Sequence, residues 1–236
     1  MTVRINERKF DEIRSTTIER NYLKYPEGSV LITQGSTKVI VTASVIDYVP
    51  RFLEDTGTGW ITAEYSMLPR ATQTRNSRDK TRGRTIEIQR LIGRSIRAAF
   101  NYEKIGERTI RIDCDVIQAD GGTRCASITG AFVAVFDAVQ YLYDEHLIYE
   151  FPKYKTTAAI SVGIKNDDLL LDLDYHEDSK VDVDFNLVMN EDLEYIEIQG
   201  TAEGATFNRD KLNELLSLGE KGISELIEIQ KKVLNL

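Results

Sequence analysis

A strand, a glycine turn and a long apolar helix follow one another in the middle of the 236-residue sequence. Between Thr109 and Gln118, apolar side chains alternate with polar or charged ones, which predicts a half-buried β-strand. The turn Asp120-Gly121-Gly122-Thr123 comes next, and apolar residues then recur at helical spacing. These apolar residues are Ile128, Phe132, Val135, Phe136, Val139 and Leu142. Because the predicted helix carries little charge, we expect it to lie at the centre of the fold.

Strands and helices are predicted in both halves of the chain. Residues 29–46 indicate a hairpin, because two runs rich in β-branched residues flank the turn candidate Gly35-Ser36. From Ile86 onward, apolar positions at helical spacing and arginines on the opposite side predict an amphipathic helix. The second half adds apparent strands at 158–164, 169–175, 181–189 and 195–199 and a helical tail from Asn208. This order predicts an α+β fold of two related β-plus-helix lobes.

Charge is distributed unevenly along the chain. The formal net charge of -8 on its own argues against a polyanionic partner such as nucleic acid. The segment 70–97, however, contains nine basic and two acidic residues, so it carries +7 and the rest of the chain −15. This segment favours binding of an anion such as an RNA backbone. The alternative is a solvated face, or a surface that forms salt bridges between subunits.

The remaining composition indicates a soluble protein of a reducing compartment. Cys114 and Cys125 are too few for a disulfide framework or a cysteine-based zinc site. No stretch approaches the about 18 consecutive apolar residues of a spanning helix, so we expect a cytoplasmic protein with no membrane partner. His146 and His176 lack any neighbouring motif of a nucleophilic triad, which favours surface or packing roles. Trp60 and Tyr65 are candidates either for stacking on nucleobases or for the core.

Two glycine-containing turns each lead into a predicted helix. Gly83-Arg84-Thr85 opens the arginine-bearing helix, and Gly121-Gly122-Thr123-Arg124 opens the central one. The first N–H groups of a helix are unpaired and lie at the positive end of its dipole, so either turn is a candidate phosphate site. At the second turn the alternative is an ordinary strand-to-helix connection with a threonine N-cap.

Three aspartates lie around the start of the predicted strand 181–189. If the strand begins near Val181, Asp182 and Asp184 share a face, and Asp178 can fold back beside them. Carboxylate oxygens suit magnesium, which takes one or two protein carboxylates together with substrate phosphate and water. The alternative is a solvated acidic strand edge.

A series of distinct motifs follows in order over nearly the whole chain. They include GWITAEYSMLPRAT, GRTIEIQRLIGRSIRA, IGERTIRIDCDVIQADGGTRCASITGA, YHEDS with DVDFNLVM, and IQGTAEGATF. Together they closely resemble the ribonuclease PH family, bacterial phosphorolytic exoribonucleases that trim the 3′ ends of transfer RNA precursors. The resemblance implies a single ribonuclease PH domain over residues 1–236, with the fold of the ribosomal protein S5 domain 2-like group.

The resemblance also implies a reaction and its site. Inorganic phosphate, as co-substrate, attacks the terminal phosphodiester of RNA and releases a nucleoside diphosphate, and the reverse reaction adds nucleotides. The implied residues are Arg84, Gly122, Thr123 and Arg124 for phosphate, Asp178 and Asp184 for magnesium or proton transfer, and Arg70, Arg75 and Arg78 for RNA. Of these, Arg84, Asp178 and Asp184 are the implied catalytic residues.

The family further implies a homo-hexamer, a trimer of dimers, that acts on RNA in the cytoplasm. The alternative is a catalytically silent RNA-binding ring subunit of the same fold. Retention of the five residues Arg84, Thr123, Arg124, Asp178 and Asp184 favours the enzyme.

Two segments depart from the family pattern. Asn6-Glu7-Arg8 stands where the family usually has Asp-Gly-Arg, and Ser15 replaces a proline. The loss of a turn glycine bears on the local turn geometry near the N-terminus and not on the phosphate site. The loop between Arg70 and Arg84 is a few residues shorter than in the family, so individual RNA contacts there are the least secure expectation.

Overall fold

Two β-sheets, one in each half of the chain, enclose a long central helix. The computed structural model describes residue 4 and residues 7–77, 83–203 and 206–236. The strands of the first half are β1 (Thr16–Arg20), β2 (Gly28–Gln34), β3 (Thr37–Ile46), β4 (Trp60–Met67) and β5 (Thr109–Gln118). They form one sheet in the order β1-β2-β3-β5-β4. Neighbours are antiparallel except β4 and β5, which run parallel with Tyr65 opposite Cys114.

The second sheet is antiparallel throughout. Its strands are β6 (Thr157–Lys165), β7 (Asp168–Leu171), β8 (Val183–Asn190) and β9 (Tyr195–Ala202), in the order β7-β6-β8-β9. Thus the predicted hairpin, the strand Thr109–Gln118 and the two-lobe α+β organisation are confirmed.

The predicted strand 169–175 is wrong at its carboxyl end. Strand β7 stops at Leu171, because Asp172 has a φ of 56° and turns the backbone. Asp174 then starts the short helix α3 (Tyr175–Asp178) with a capping box to Glu177. This local capping overrides the apolar pattern of the preceding residues.

The central helix α2 (Thr123–Asp144) packs between the sheets, against β2 and β3 on one side and β6 on the other. The hydroxyl of Thr129 accepts a hydrogen bond of 3.1 Å from the Ala159 backbone N–H, which ties the helix to the second sheet. Among the described residues, α2 alone is long and apolar enough to cross a membrane. Most of it is buried between the sheets, so it is the core helix that its sequence predicts.

Two amphipathic helices cover the remaining faces. Helix α1 (Gly83–Ala99) buries its apolar side against β4 and α2 and exposes Arg84, Arg90 and Arg94. Helix α4 (Arg209–Leu234) begins at its cap Asn208, as expected, and packs on β6, β7 and β8. The starts of α1 and α2 and the end of α3 therefore come from different parts of the chain, and the sheets bring them together.

Candidate functional site

The turn between β5 and α2 is built from two glycines in left-handed conformation. Gly121 has a φ of 74° and Gly122 a φ of 65°. A Cβ atom on Gly121 would lie 2.5 Å from the carbonyl carbon of Asp174, so only glycine fits there. Gly122 is the N-cap of α2, and no side chain caps the N-terminus of this helix. The alternative of a threonine N-cap is therefore wrong, and the first N–H groups of α2 are left for another acceptor.

Arg14 ties this turn to Asp172 of the second lobe. Its side chain is buried and forms a paired contact with the carboxylate of Asp172, with Nε–Oδ2 at 3.0 Å and Nη2–Oδ1 at 2.6 Å. Nη1 donates to the carbonyl oxygen of Asp120 at 2.6 Å. Burial opposes the charge of Arg14, but the carboxylates of Asp172, Asp120 and Asp174 together outweigh burial and raise the arginine pKa. The ion pair thus fixes where the glycine turn lies relative to α3.

A second buried ion pair supports the first. Arg4 donates to the two carboxylate oxygens of Glu177 at 2.7 and 2.8 Å and to the Leu171 carbonyl oxygen at 2.7 Å. The pairs Arg14–Asp172 and Arg4–Glu177 carry no periodic sequence signal.

Arg124 and Arg84 approach the site from the starts of two helices. Arg124 lies in the first turn of α2, and its Nη1 donates to Oε1 of Gln199 at 2.7 Å. Gln199 in turn donates from Nε2 to Oε1 of Glu87 on α1 at 2.6 Å. Arg84 lies one turn before Glu87, and its side chain is exposed. Gln199 thereby links strand β9 to both helix starts.

The carboxylates of Asp178 and Asp184 face these two arginines. Asp178 ends α3, and Asp184 lies in β8 opposite Gly163 on β6 and Thr201 on β9. Burial raises the pKa of Asp178, against the charges of Arg124 and Arg84, which lower it. Burial and then the charge of Asp178 raise the pKa of Asp184 to about 6, again opposed by the two arginines. Two cations and two carboxylates therefore share one electrostatic environment.

Asp182 does not join this group. Strand β8 begins at Val183, so Asp182 precedes the strand. Its carboxylate accepts a 3.0 Å hydrogen bond from the Asn166 backbone N–H in the turn between β6 and β7. The expectation that Asp182 shares a face with Asp184 is therefore wrong, because the strand starts two residues later than the pattern suggests.

Tyr65 and Thr123 meet beneath the α2 start. Tyr65 is 5% exposed and belongs to the core. Of the two candidate roles, core packing and base stacking, it therefore has the first. Its hydroxyl and the Thr123 Oγ1 lie 2.8 Å apart. Sequence patterns place both residues in their elements but give no signal for this contact.

The remaining predicted residues include surface arginines, a surface histidine and two buried cysteines. Arg70 and Arg75 are exposed in the segment between β4 and α1, and Arg78 lies outside the described residues. His176 contacts Lys180 through Nε2 at 2.7 Å on the surface. Both cysteines are free and buried, and burial raises the pKa of Cys125 to about 12, so its thiol is no nucleophile at neutral pH.

Within the described residues, no group of three or more histidine, cysteine, aspartate or glutamate side chains could hold a metal ion by itself. What the cluster offers is an uncapped helix start, two arginines and two carboxylates. Such groups hold a phosphate-like anion and neutralise charge beside it. The fold and this cluster define the class: an α+β protein equipped for phosphoryl transfer by positioning and electrostatics rather than by a protein nucleophile.

Comparisons with known proteins give the family. Residues 12–139 match domain 1 of the 3′ exoribonuclease family, and residues 155–222 match domain 2. The chain belongs to this 3′ exoribonuclease family. The two matches coincide with the two sheets, and α2 packs against both. A single domain over residues 1–236 stays a prediction.

Relatives span nearly the full chain. It is 59% identical over 236 residues to "Ribonuclease PH" of Bacillus pumilus (strain SAFR-032), covering 98% of each protein. It is 58% identical over 232 residues to the protein of the same name from Bacillus velezensis (strain DSM 23117 / BGSC 10A6 / LMG 26770 / FZB42), covering 96% and 95%. A solved Archaeoglobus fulgidus exosome with RNA bound to the active site contains a chain of the same fold. That chain has a TM-score of 0.82 and 24% identity, over 95% of this chain and 91% of its own.

Proposed function

We propose that this protein is a phosphate-dependent 3′-to-5′ exoribonuclease that trims 3′ extensions of transfer RNA precursors and releases nucleoside diphosphates. The relatives at 59% and 58% identity bear the name of such an enzyme. The observation that carries the proposal concerns Arg84 and Arg124, which lie at two helix starts. The positive charges of both arginines lower the pKa values of Asp178 and Asp184.

The attacking phosphate is held at the start of α2. Its oxygens accept hydrogen bonds from the free N–H groups after Gly122, the Thr123 hydroxyl and the Arg124 guanidinium. Arg84 adds a second positive charge that helps to neutralise the phosphate. One phosphate oxygen forms a bond to the phosphorus of the last nucleotide, and the bond from that phosphorus to the 3′-oxygen of the preceding nucleotide breaks. The proton of hydrogen phosphate balances the proton gained by the new 3′-hydroxyl. Since one phosphate linkage replaces another, the reverse addition of nucleotides follows.

Asp178 and Asp184 suit magnesium because they supply carboxylate oxygens and because there are two of them. Burial and the charge of Asp178 raise the pKa of Asp184, and a divalent cation bound there would relieve this cost of ionisation. Hard oxygen ligands, one or two per ion, are what magnesium takes beside substrate phosphates. When bound there, magnesium supplies Lewis-acid stabilisation of the charge that develops on the reacting phosphate. Without it, the same carboxylates are the groups placed to hold the proton of the 3′-hydroxyl.

RNA approaches across the basic segment before α1. The exposed side chains of Arg70 and Arg75 suit contacts with backbone phosphates, and Arg78 is assigned the same role from sequence. An unpaired 3′ end is the form of RNA that proteins recognise by shape and stacking. We further propose the cytoplasm as the compartment, which fits the two free cysteines.

A homo-hexamer, a trimer of dimers, is the proposed assembly. The support is the family resemblance and the ring-like placement of basic segments that it implies. Light scattering on the purified protein, with an expected mass near six times 26.8 kDa, tests it. A monomer at micromolar concentration would contradict it.

The decisive experiment separates phosphorolysis from its alternatives. Purified protein is incubated with magnesium and an RNA that has a stable stem and a single-stranded 3′ tail, with and without inorganic phosphate. Nucleoside diphosphates that are released only with phosphate support the proposal. Nucleoside monophosphates in both samples would indicate a hydrolytic nuclease, and RNA binding with no release in either would indicate the silent ring subunit.

A paired substitution tests the anion site itself. Arg84→Ala is expected to raise the phosphate KM by about 100-fold or more, because a charge-assisted contact to the attacking group is lost, while RNA binding stays nearly unchanged. Arg90→Ala removes an exposed arginine from the same helix and is the matched control. Equal phosphate KM values for the two variants would refute the role of Arg84.

A further inference from the structure

We propose that Tyr65 is a positioning residue for the phosphate co-substrate: its phenol donates to the Thr123 hydroxyl, so that the Thr123 proton faces the anion. The inference rests on the proposed function, because it assigns a task to a residue behind the same anion site. It concerns a side chain that does not itself touch the phosphate.

The geometry aims the phenol at one atom. Tyr65 lies in β4 opposite Cys114 of β5, and its ring packs in the core beneath α2. The ring is 5% exposed, whereas the hydroxyl oxygen reaches Thr123 Oγ1 at 2.8 Å. Thr123 is the first residue of α2, directly after the uncapped Gly122. A rigid core residue therefore contacts the one hydroxyl at the helix start.

The hydrogen-bond inventory sets the direction of this contact once an anion is bound. A hydroxyl has one proton to donate and lone pairs to accept with, and either oxygen of this pair can donate in the free protein. Most oxygens of a phosphate ion are acceptors only. Thr123 can donate to phosphate only if it accepts from Tyr65, so the phenol must be the donor. Two hydrogen bonds in series also polarise one another, which strengthens the outer one.

The surroundings of Tyr65 keep its proton in place. Burial raises the pKa of the phenol, against the hydrogen bond with Thr123 and the charge of Arg84, which lower it. Tyr65 therefore remains a neutral donor throughout the neutral range. Thr123 is further fixed because its carbonyl oxygen accepts from the Ser127 hydroxyl at 2.8 Å.

A purely structural tyrosine would fill the core and nothing more, so the test must separate packing from positioning. Tyr65→Phe keeps the ring and removes the hydroxyl. The matched control is Tyr154→Phe, because Tyr154 packs against the same core through its ring and stands in contact with Phe132 and Phe136 rather than Thr123. Each variant is made in the wild-type background and with Thr123→Val, which removes the receiving hydroxyl.

Two readouts are compared. The first is steady-state phosphorolysis of a tailed RNA, with KM determined for phosphate and for RNA. The second is the rise in unfolding temperature caused by inorganic phosphate alone, which needs no turnover. We expect Tyr65→Phe to raise the phosphate KM about 3- to 30-fold, to leave the RNA KM unchanged and to weaken phosphate-induced stabilisation correspondingly. Tyr154→Phe should change neither phosphate readout.

The double variant decides the mechanism. If Tyr65 acts through Thr123, Tyr65→Phe has no further effect on either phosphate readout when residue 123 is already valine. Additive effects, or a Tyr65→Phe variant with wild-type phosphate KM and stabilisation, would overturn the proposal. If wild-type protein fails to use phosphate in turnover, the proposed function falls, while the temperature shift still measures whether Tyr65 supports phosphate binding.

Discussion

The guanidinium of Arg14 pairs with the carboxylate of Asp172 across 158 residues of sequence and donates to the Asp120 carbonyl oxygen beside the glycine turn. One buried ion pair therefore joins the first lobe to the second where the anion site is built. A Cβ on Gly122 would lie 2.7 Å from Nη2 of Arg14, so a side chain at this left-handed position would displace the guanidinium from its place in the ion pair. The position of Thr123 and Arg124 depends on this arrangement.

Removal of the arginine from this pair should destabilise the fold strongly. Arg14→Ala leaves the buried Asp172 carboxylate without its main partner, and we expect a loss of about 3 to 5 kcal/mol of unfolding free energy. Urea denaturation checks this. The control is Arg94→Ala, because Arg94 is 50% exposed in its pair with Glu197 and should cost less than about 1 kcal/mol. Similar losses of unfolding free energy for the two variants would contradict strong stabilisation by the buried Arg14–Asp172 pair.

The stability of the metal-free protein should depend on pH through Asp184. Its pKa of about 6 lies above the ordinary 3.8, so the folded state binds more protons than the unfolded state between those values. Stability is therefore lost as the pH rises through this window. Asp184→Asn should stabilise the protein by about 1 to 3 kcal/mol at pH 8 and little at pH 4, measured by urea unfolding with a chelator. No gain in unfolding free energy at pH 8 would contradict the idea that ionised Asp184 destabilises the folded state. We also expect phosphorolysis to fall sharply in Asp184→Asn.

Gln199 should hold Arg124 in place for phosphate. Gln199→Ala removes its 2.7 Å contact with Arg124 and frees the guanidinium. We expect the phosphate KM to rise about 3- to 10-fold, the value of one positioning hydrogen bond to a charged group. Glu197→Ala is the control, since Glu197 lies on the same strand and contacts Arg94 instead. If both variants raise the KM equally, disturbance of β9 rather than of Arg124 is responsible.

Salt dependence should reveal the RNA contacts of the basic segment. Arg75→Ala removes one exposed cation, so RNA binding should weaken and the slope of log affinity against log salt should fall by about 0.7 for a single strand. Binding titrations between low and moderate salt measure the slope. A slope that equals the wild-type value would show that Arg75 does not contact the backbone.

The N-terminal turn should tolerate a more favourable residue. Glu7 has a φ of 56°, in the left-handed region that favours glycine, which matches the glycine of the family pattern at this position. We expect Glu7→Gly to raise the free energy of unfolding by up to about 1 kcal/mol. In the opposite direction, Gly121→Ala should destabilise by more than about 2 kcal/mol, because its Cβ would meet the Asp174 backbone at 2.5 Å. Thermal unfolding of the two variants, with changes of opposite sign, is the check.

Local patterns predicted most of the framework. The alternation in Thr109–Gln118 and the apolar spacing of α2 are properties of neighbouring residues, and both elements form where predicted. The boundary error at 169–175 arose where Asp172 and the capping residue Asp174 redirect the backbone, and the predicted strand 181–189 starts two residues later than expected, at Val183. A positive φ and a capping box are set by a few atoms, and apolar periodicity does not report them.

By itself, the sequence determined the two-lobe α+β organisation, the glycine turn before the central helix, the basic segment and the residues proposed for anion and magnesium binding. Only the tertiary structure decided which of these residues meet. It pairs Arg14 with Asp172, sets Tyr65 behind Thr123, joins Gln199 to Arg124 and separates Asp182 from Asp184. The physical reason is that such contacts join distant segments through single directional bonds, whose energy depends on atomic positions that packing of the two sheets around α2 fixes.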